Sequence, residues 1–156
     1  MPAHRNGPVS SNVRPHKHNS SEWLSPMKPI FSLVLALIFS SPNAIAEEVC
    51  DIVKGAVLIA QDDKNTFLGK ITSAYDSESI FNEYGTYGSP YNSSSIWNTY
   101  GTFGSEYNSL SPHNSFTSTP PMIIKNQKIL GYLSANKSIK SSITPNLLKA
   151  LCKGEL

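Results

Sequence analysis

Ser79-Ile80-Phe81-Asn82-Glu83-Tyr84-Gly85-Thr86-Tyr87-Gly88-Ser89 returns 16 residues later as Ser95-Ile96-Trp97-Asn98-Thr99-Tyr100-Gly101-Thr102-Phe103-Gly104-Ser105. The phase is unbroken, so each copy is one structural unit, repeated because it packs against its neighbour. A third copy opens with Tyr107-Asn108-Ser109, matching Tyr91-Asn92-Ser93 and Tyr75-Asp76-Ser77, and then shrinks to Ser111-Pro112-His113-Asn114. Ten of the chain's 15 aromatic residues fall between Tyr75 and Phe116. The segment 75–116 therefore decides the architecture.

Three readings of the unit compete. In the first, Asp76 or Ser77 caps a short helical turn, Ile80, Phe81 and Tyr84 point inward, and Gly85 ends it. In the second, each copy is one coil of a small solenoid with Asn82, Asn98 and Asn114 stacked as a ladder. Solenoids usually need three or more repeats to bury a core, and two are complete here, so the helical turn is preferred. The third is disorder, which Tyr, Gly, Ser and Asn content alone would permit. Against it, each copy keeps an aliphatic residue beside a large aromatic one, Ile80-Phe81 and Ile96-Trp97, as packing requires.

Setting the copies side by side separates scaffold from chemistry. Ser, Ile, Asn, Tyr, Gly and Thr return, whereas Glu78 becomes Ser94, Glu83 becomes Thr99 and Pro90 becomes Glu106. Ionisable residues drift, so no catalytic or metal constellation is built into the unit. His113 takes the place held by Phe81 and Trp97, which makes it a packing residue before it is a base. The binding surface expected from this pattern consists of the edges of Tyr87, Tyr91, Phe103, Tyr107 and His113, where an apolar ring sits beside Ser and Asn.

The flanks read as two hairpins. Gly55-Ala56-Val57-Leu58-Ile59-Ala60 is answered across Asp62-Asp63-Lys64-Asn65 by Thr66-Phe67-Leu68-Gly69-Lys70-Ile71. Pro121-Met122-Ile123-Ile124-Lys125 is answered across Asn126-Gln127 by Lys128-Ile129-Leu130-Gly131-Tyr132-Leu133. Phe67 to Thr72 lines up with Ile129 to Ser134, and a glycine placed alike inside both strands predicts a bulge or a close backbone approach. A lone hairpin is marginal in water, so the two should join in one small antiparallel sheet. Thr144 as N-cap, Pro145 at the first position, the stripe Leu147, Leu148 and Leu151, and Lys149 and Lys153 near the end predict a C-terminal helix. The class expected is α+β.

Residues 27–46 read as a secretory signal peptide, with Lys28, the apolar run Ile30 to Phe39 and the small-residue site Ala44-Ile45-Ala46. Residues 1–26 are then a non-native or disordered leader, and 47–156 a single small exported domain. That domain holds nine Lys, no Arg and ten Asp plus Glu, a formal charge of −1, although the whole chain carries +2. Nucleic acid and anionic membrane surfaces require clustered cations, so neither is an expected partner. The two cysteines, Cys50 and Cys152, lie at opposite ends of the domain and in an exported chain form one disulfide.

Other chemistry finds little support. One histidine in residues 47–156 and two paired cysteines cannot assemble a zinc site, and Asp62-Asp63 lacks the D-x-D-x-D-G spacing of a calcium loop. The glycines lack the strand, helix and lysine of a phosphate cradle. No cofactor is expected.

The run Tyr-Gly-x-Tyr-Gly-Ser-x-Tyr-x-x-x-Ser-Ile-Trp-Asn over residues 84–98, followed by Pro120-Pro121 and Gly131-Tyr132-Leu133, resembles a group of small exported bacterial proteins. The resemblance covers about residues 55–136 and implies a bacterial, secreted or periplasmic location. It transfers no functional residue. The expected role is a non-enzymatic binding module whose partner is an envelope protein or a glycan. A purely structural domain and a small hydrolase are the alternatives.

Overall fold

The computed structural model describes residues 42–156. The leader 1–26 and the apolar run of the expected signal peptide lie outside them. Helix α1 (Pro42–Val53) is followed by strands β1 (Val57–Ile59) and β2 (Phe67–Lys70). After the repeat come β3 (Met122–Lys125), β4 (Lys128–Leu133), β5 (Ser142–Ile143) and helix α2 (Pro145–Cys152). The sheet order is β2-β1-β3-β4-β5. Both expected hairpins form and join through the antiparallel pair β1·β3, in which Leu58 faces Ile123. Both of these residues are buried while Val57, Ile59, Met122 and Ile124 are half-buried, so one sheet face carries the core.

Two elements were not foreseen. Strand β5 runs parallel to β4, so the sheet is mixed rather than purely antiparallel. Two residues are too few to show a periodic pattern. Helix α1 runs across the expected processing point between Ala46 and Glu47 and presents Cys50 and Val53, three residues apart, to the core.

The glycines behave alike in both hairpins. Val57 pairs with Lys70 and Ile59 with Phe67, which leaves one extra residue on β2; Ile123 pairs with Gly131 and Ile124 with Ile129, which leaves Leu130 extra on β4. Each is a bulge beside a glycine. A Cβ on Gly69 would stand 2.7 Å from the Tyr87 Cβ, and one on Gly131 would collide with the Ser141 carbonyl oxygen. The outer edges match too. Lys70 donates its backbone N–H to the Glu78 carbonyl, and Tyr132 donates its own to that of Ser141. The parallel bridge Lys70·Ser79 thus corresponds to the pair Tyr132·Ser142. The sheet is two copies of one bulged hairpin with a parallel edge, related by a local twofold between β1 and β3.

The repeat is not made of helical turns. It is a succession of β-turns whose heads come every three residues: Asp76 donates its N–H to the Ser73 carbonyl, Ser79 to Asp76, Asn82 to Ser79 and Gly85 to Asn82. One four-residue turn then closes the unit, Ser89 N–H to the Gly85 carbonyl, and the pattern restarts. Each polar head also accepts from the N–H two residues on. Asp76 accepts from Glu78, Ser79 from Phe81, Asn82 from Tyr84, Asn92 from Ser94, Ser95 from Trp97 and Asn98 from Tyr100. This local capping competes with the helix ladder and wins at every head, which is why no helix propagates. Four three-residue turns and one four-residue turn make the 16-residue phase.

The third copy keeps this skeleton. Asn108, Ser111, Asn114 and Thr117 head its turns and accept from Leu110, His113, Phe116 and Thr119. Three coils therefore stack, nearer to the solenoid reading than to the helical one. The asparagines do not form a ladder between coils, however. Asn82, Asn98 and Asn114 each donate their side-chain amide to the carbonyl six residues back in their own coil, those of Asp76, Asn92 and Asn108. Coil meets coil elsewhere, through the Trp97 indole N–H donating to the Ile80 carbonyl at 2.6 Å and the Trp97 and His113 rings at 5.7 Å.

Inside, Ile80, Phe81 and Ile96 join Leu58, Leu68, Ile71, Leu133 and Leu148 in one core. The Ser79, Ser95 and Ser111 heads beside them are fully buried. Thr144 caps α2 by accepting from the Leu147 N–H at 3.3 Å. The buried side of that helix is Leu148 and Cys152; Leu147, expected on the same stripe, is 49% exposed. Cys50 and Cys152 are disulfide-bonded, tying α1 to α2 across 102 residues of chain.

Candidate functional site

The turn skeleton sorts aromatic rings by their place in the coil. A ring after the Ser79 or Ser95 head goes inward: Phe81 is buried and Trp97 half-buried. A ring two residues after Ser73, Ser89 or Ser105, or after Asn82, Asn98 or Asn114, goes outward. Tyr75, Tyr91 and Tyr107 are exposed by 98%, 90% and 94%, and Tyr84, Tyr100 and Phe116 by 101%, 97% and 89%. These are two columns of three rings, each column spaced by one coil. Beneath every ring, its own N–H is held by the serine or asparagine head of its turn, so the backbone that carries the ring is fixed.

Depressions lie between the columns. One of about 350 Å³ is lined by Tyr75, Phe81, Asn82, Glu83, Tyr84 and Lys153. The next, about 560 Å³, is bordered by Tyr84, Ser89, Pro90, Tyr91, Trp97 and Lys149. Glu83 lines both, accepting from Lys153 Nζ at 2.7 Å with Lys149 Nζ at 3.5 Å. The Lys153 hydrogen bond and charge, followed by Lys149, hold its carboxyl below the usual range. Lys149 also sits 4.6 Å above the Trp97 ring centre, so it is shared between a carboxylate and a π face. One carboxylate is thus shared by two lysines, so a single net positive charge sits among rings, hydroxyls and amides.

The larger cleft of about 720 Å³ is elsewhere, between α1, α2 and the β4–β5 edge, lined by Val49, Ile52, Leu130, Ile143, Leu147 and Leu151 among others. Its polar groups are Ser141, Ser142 and Thr144, and among the described residues no titratable side chain lines it. Among the described residues no three His, Cys, Asp or Glu come together as metal ligands, and no helix is long and apolar enough to cross a membrane.

The residues singled out from the sequence divide. Tyr91 and Tyr107 stand in the outer columns. Tyr87 and Phe103 do not: both pack against the core, Tyr87 edge-on to Phe67 with centroids 4.9 Å apart, because the four-residue turn carries them back toward the hairpin. His113 is half-buried against Trp97, and burial pushes its imidazole pKa down while the Ile96 backbone and Glu106 pull the other way. Tyr84, expected to point inward, is fully exposed, as is Tyr100. Tyr75, Tyr84, Tyr100 and Phe116 were missed as surface rings. The 16-residue phase would have found Tyr75 from Tyr91 and Tyr107, but Tyr84, Tyr100 and Phe116 stand two residues after a polar head just as the inward Phe81 and Trp97 do, so the local pattern carried no signal for their exposure.

Comparison of the chain with family models, with curated proteins and with solved structures yields no match.

Proposed function

We propose that the domain formed by residues 47–156 is a non-enzymatic binding module of the bacterial envelope or exterior, whose ligand lies along the two aromatic columns. One observation carries the reading: six rings, each 89% exposed or more, recur at equivalent positions on a backbone fixed by side-chain caps. Scattered exposed apolar residues need no explanation, but a contiguous, ordered group of them marks an interaction surface. Tyrosine offers large rigid contact at small entropy cost, with two rotatable side-chain bonds to fix. Glu83, the acid between the columns, is engaged by two lysines, which suits it to a structural role rather than to proton transfer. The disulfide favours an oxidising compartment.

The test is retention on a native bacterial envelope fraction. Tyr84→Ser with Tyr100→Ser should leave folding within about 0.5 kcal/mol of the parent, as surface changes usually do, and abolish retention. No retention of the parent would overturn the reading in favour of a purely structural domain, and unchanged retention with both rings removed would overturn it in favour of binding elsewhere on the surface.

A further inference from the structure

We infer that the ligand of the aromatic columns is a linear, β-1,4-linked polysaccharide, laid along the coil stack with successive sugar rings against successive aromatic rings. This rests on the binding-module reading and names the chemistry of its ligand.

The surface has three properties that a partner must match. It is periodic, because the same ring returns in each coil at the same step of the same turn. A polymer of one repeating unit matches that, whereas a protein surface without an internal repeat does not. Successive coils are in direct contact, with the Trp97 indole N–H donating to the Ile80 carbonyl one coil earlier, so each column of rings follows the stack and calls for an extended chain. A β-1,4 linkage keeps such a chain straight, and an α-1,4 linkage coils it away from a straight ladder.

The surface is also amphipathic on the scale of a single sugar. A pyranose with equatorial hydroxyls presents a flat face of C–H groups and a polar rim. The columns offer flat π faces, while Asn82, Ser89, Glu83 and Lys149 line the depressions between them, within reach of that rim. Finally, the described residues of the surface offer no cluster of free cations. Lys153 and Lys149 share the one carboxylate of Glu83, an excess of a single positive charge, and arginine is absent from residues 47–156, so a phosphate backbone stacking its bases on the same rings would find too few counter-charges. A neutral ring stack fits what remains.

One stacked sugar is a weak ligand; a ladder gains because each further contact is intramolecular once the first is made. Affinity should therefore climb with chain length. The full chain titrated calorimetrically with cellohexaose, the hexasaccharide of β-1,4-linked glucose, should bind at least about tenfold more tightly than with cellobiose, and maltohexaose, its α-1,4-linked counterpart, should fail to bind. The Tyr84→Ser, Tyr100→Ser protein should lose the length dependence while keeping its thermal transition. Equal affinity for the two chain lengths, or no binding of the hexasaccharide, overturns the inference.

A second arm separates this from the binding reading beneath it. Envelope material is digested with protease or with a glycosidase cleaving β-1,4 bonds before retention is measured. Loss of retention after the glycosidase alone supports the polysaccharide. Loss after protease alone overturns it and leaves a protein ligand on the same columns. Retention that ignores the tyrosine substitutions overturns both.

Discussion

Asn98 shows how much one side chain does in this fold. Its carbonyl oxygen accepts from the Tyr100 N–H at 3.1 Å and its amide donates to the Asn92 carbonyl at 3.2 Å, so it closes one turn and ties it to an earlier one. Asn98→Asp keeps the acceptor and loses the donor, while Asn98→Ala loses both; chemical denaturation should rank Ala as the more destabilised, by roughly 1–3 kcal/mol. The glycines are ordered by space. A Cβ on Gly88 or Gly104 would enter the backbone of Asn82 or Asn98, whereas one on Gly101 meets only the Asn98 side chain, nearest at 3.2 Å. Gly104→Ala should cost roughly 2–4 kcal/mol and Gly101→Ala well under half of that in the same assay. His113 supplies a pH signature. Burial holds its folded pKa below the 6.5 of the free side chain, so the unfolded chain takes up the proton first. Stability is full above about pH 6.5 and declines as pH falls from there toward the folded value. His113→Phe, which restores the ring type found at position 81, should flatten that slope in thermal melts from pH 7.5 to 5.5.

Among the elements, α2 depends most on distant partners. Eight residues are too few to be stable alone, and the helix is held by its Thr144 cap, by Leu148 in the core and by the bond from Cys152 to Cys50. Closing a loop of this length is worth about 4–5 kcal/mol in the chain-entropy model. The Cys50→Ala, Cys152→Ala protein should lose much of that, read as a lower denaturation midpoint with its slope steeper or unchanged. Intact mass before and after reduction and alkylation should reveal no free thiol in the native protein. The hairpins were legible as elements because alternating aliphatic runs bracket turn residues. Asn65, Asn126 and Gln127 then adopt the left-handed backbone those tight turns require, at φ of 50°, 51° and 62°. The glycine alignment also told correctly of two bulges. Strand β5 was not legible, since its partner is chosen by the room beside Gly131 and not by its own two residues.

Over the whole molecule, the aromatic surface is where local pattern and tertiary outcome part. The repeat's phase, its polar heads and its glycine closures are all sequence properties, and they determine a stack of turns by local hydrogen bonding alone. So too the separation of Cys50 from Cys152 and the capping of α2 could be read directly. What only the tertiary structure decided is which rings face water. Tyr84 and Tyr87 lie three residues apart in one coil with similar neighbours, yet one is fully exposed and the other packs on Phe67. The difference arises because the coils lie against the hairpins and α2 along one side, and that side is set by where Ile80, Phe81 and Ile96 meet Leu68 and Leu148. Turn chemistry depends on residues one to three apart and is written in the chain. The side of a coil that meets the core depends on surfaces tens of residues away, so it emerges only when the whole chain has packed.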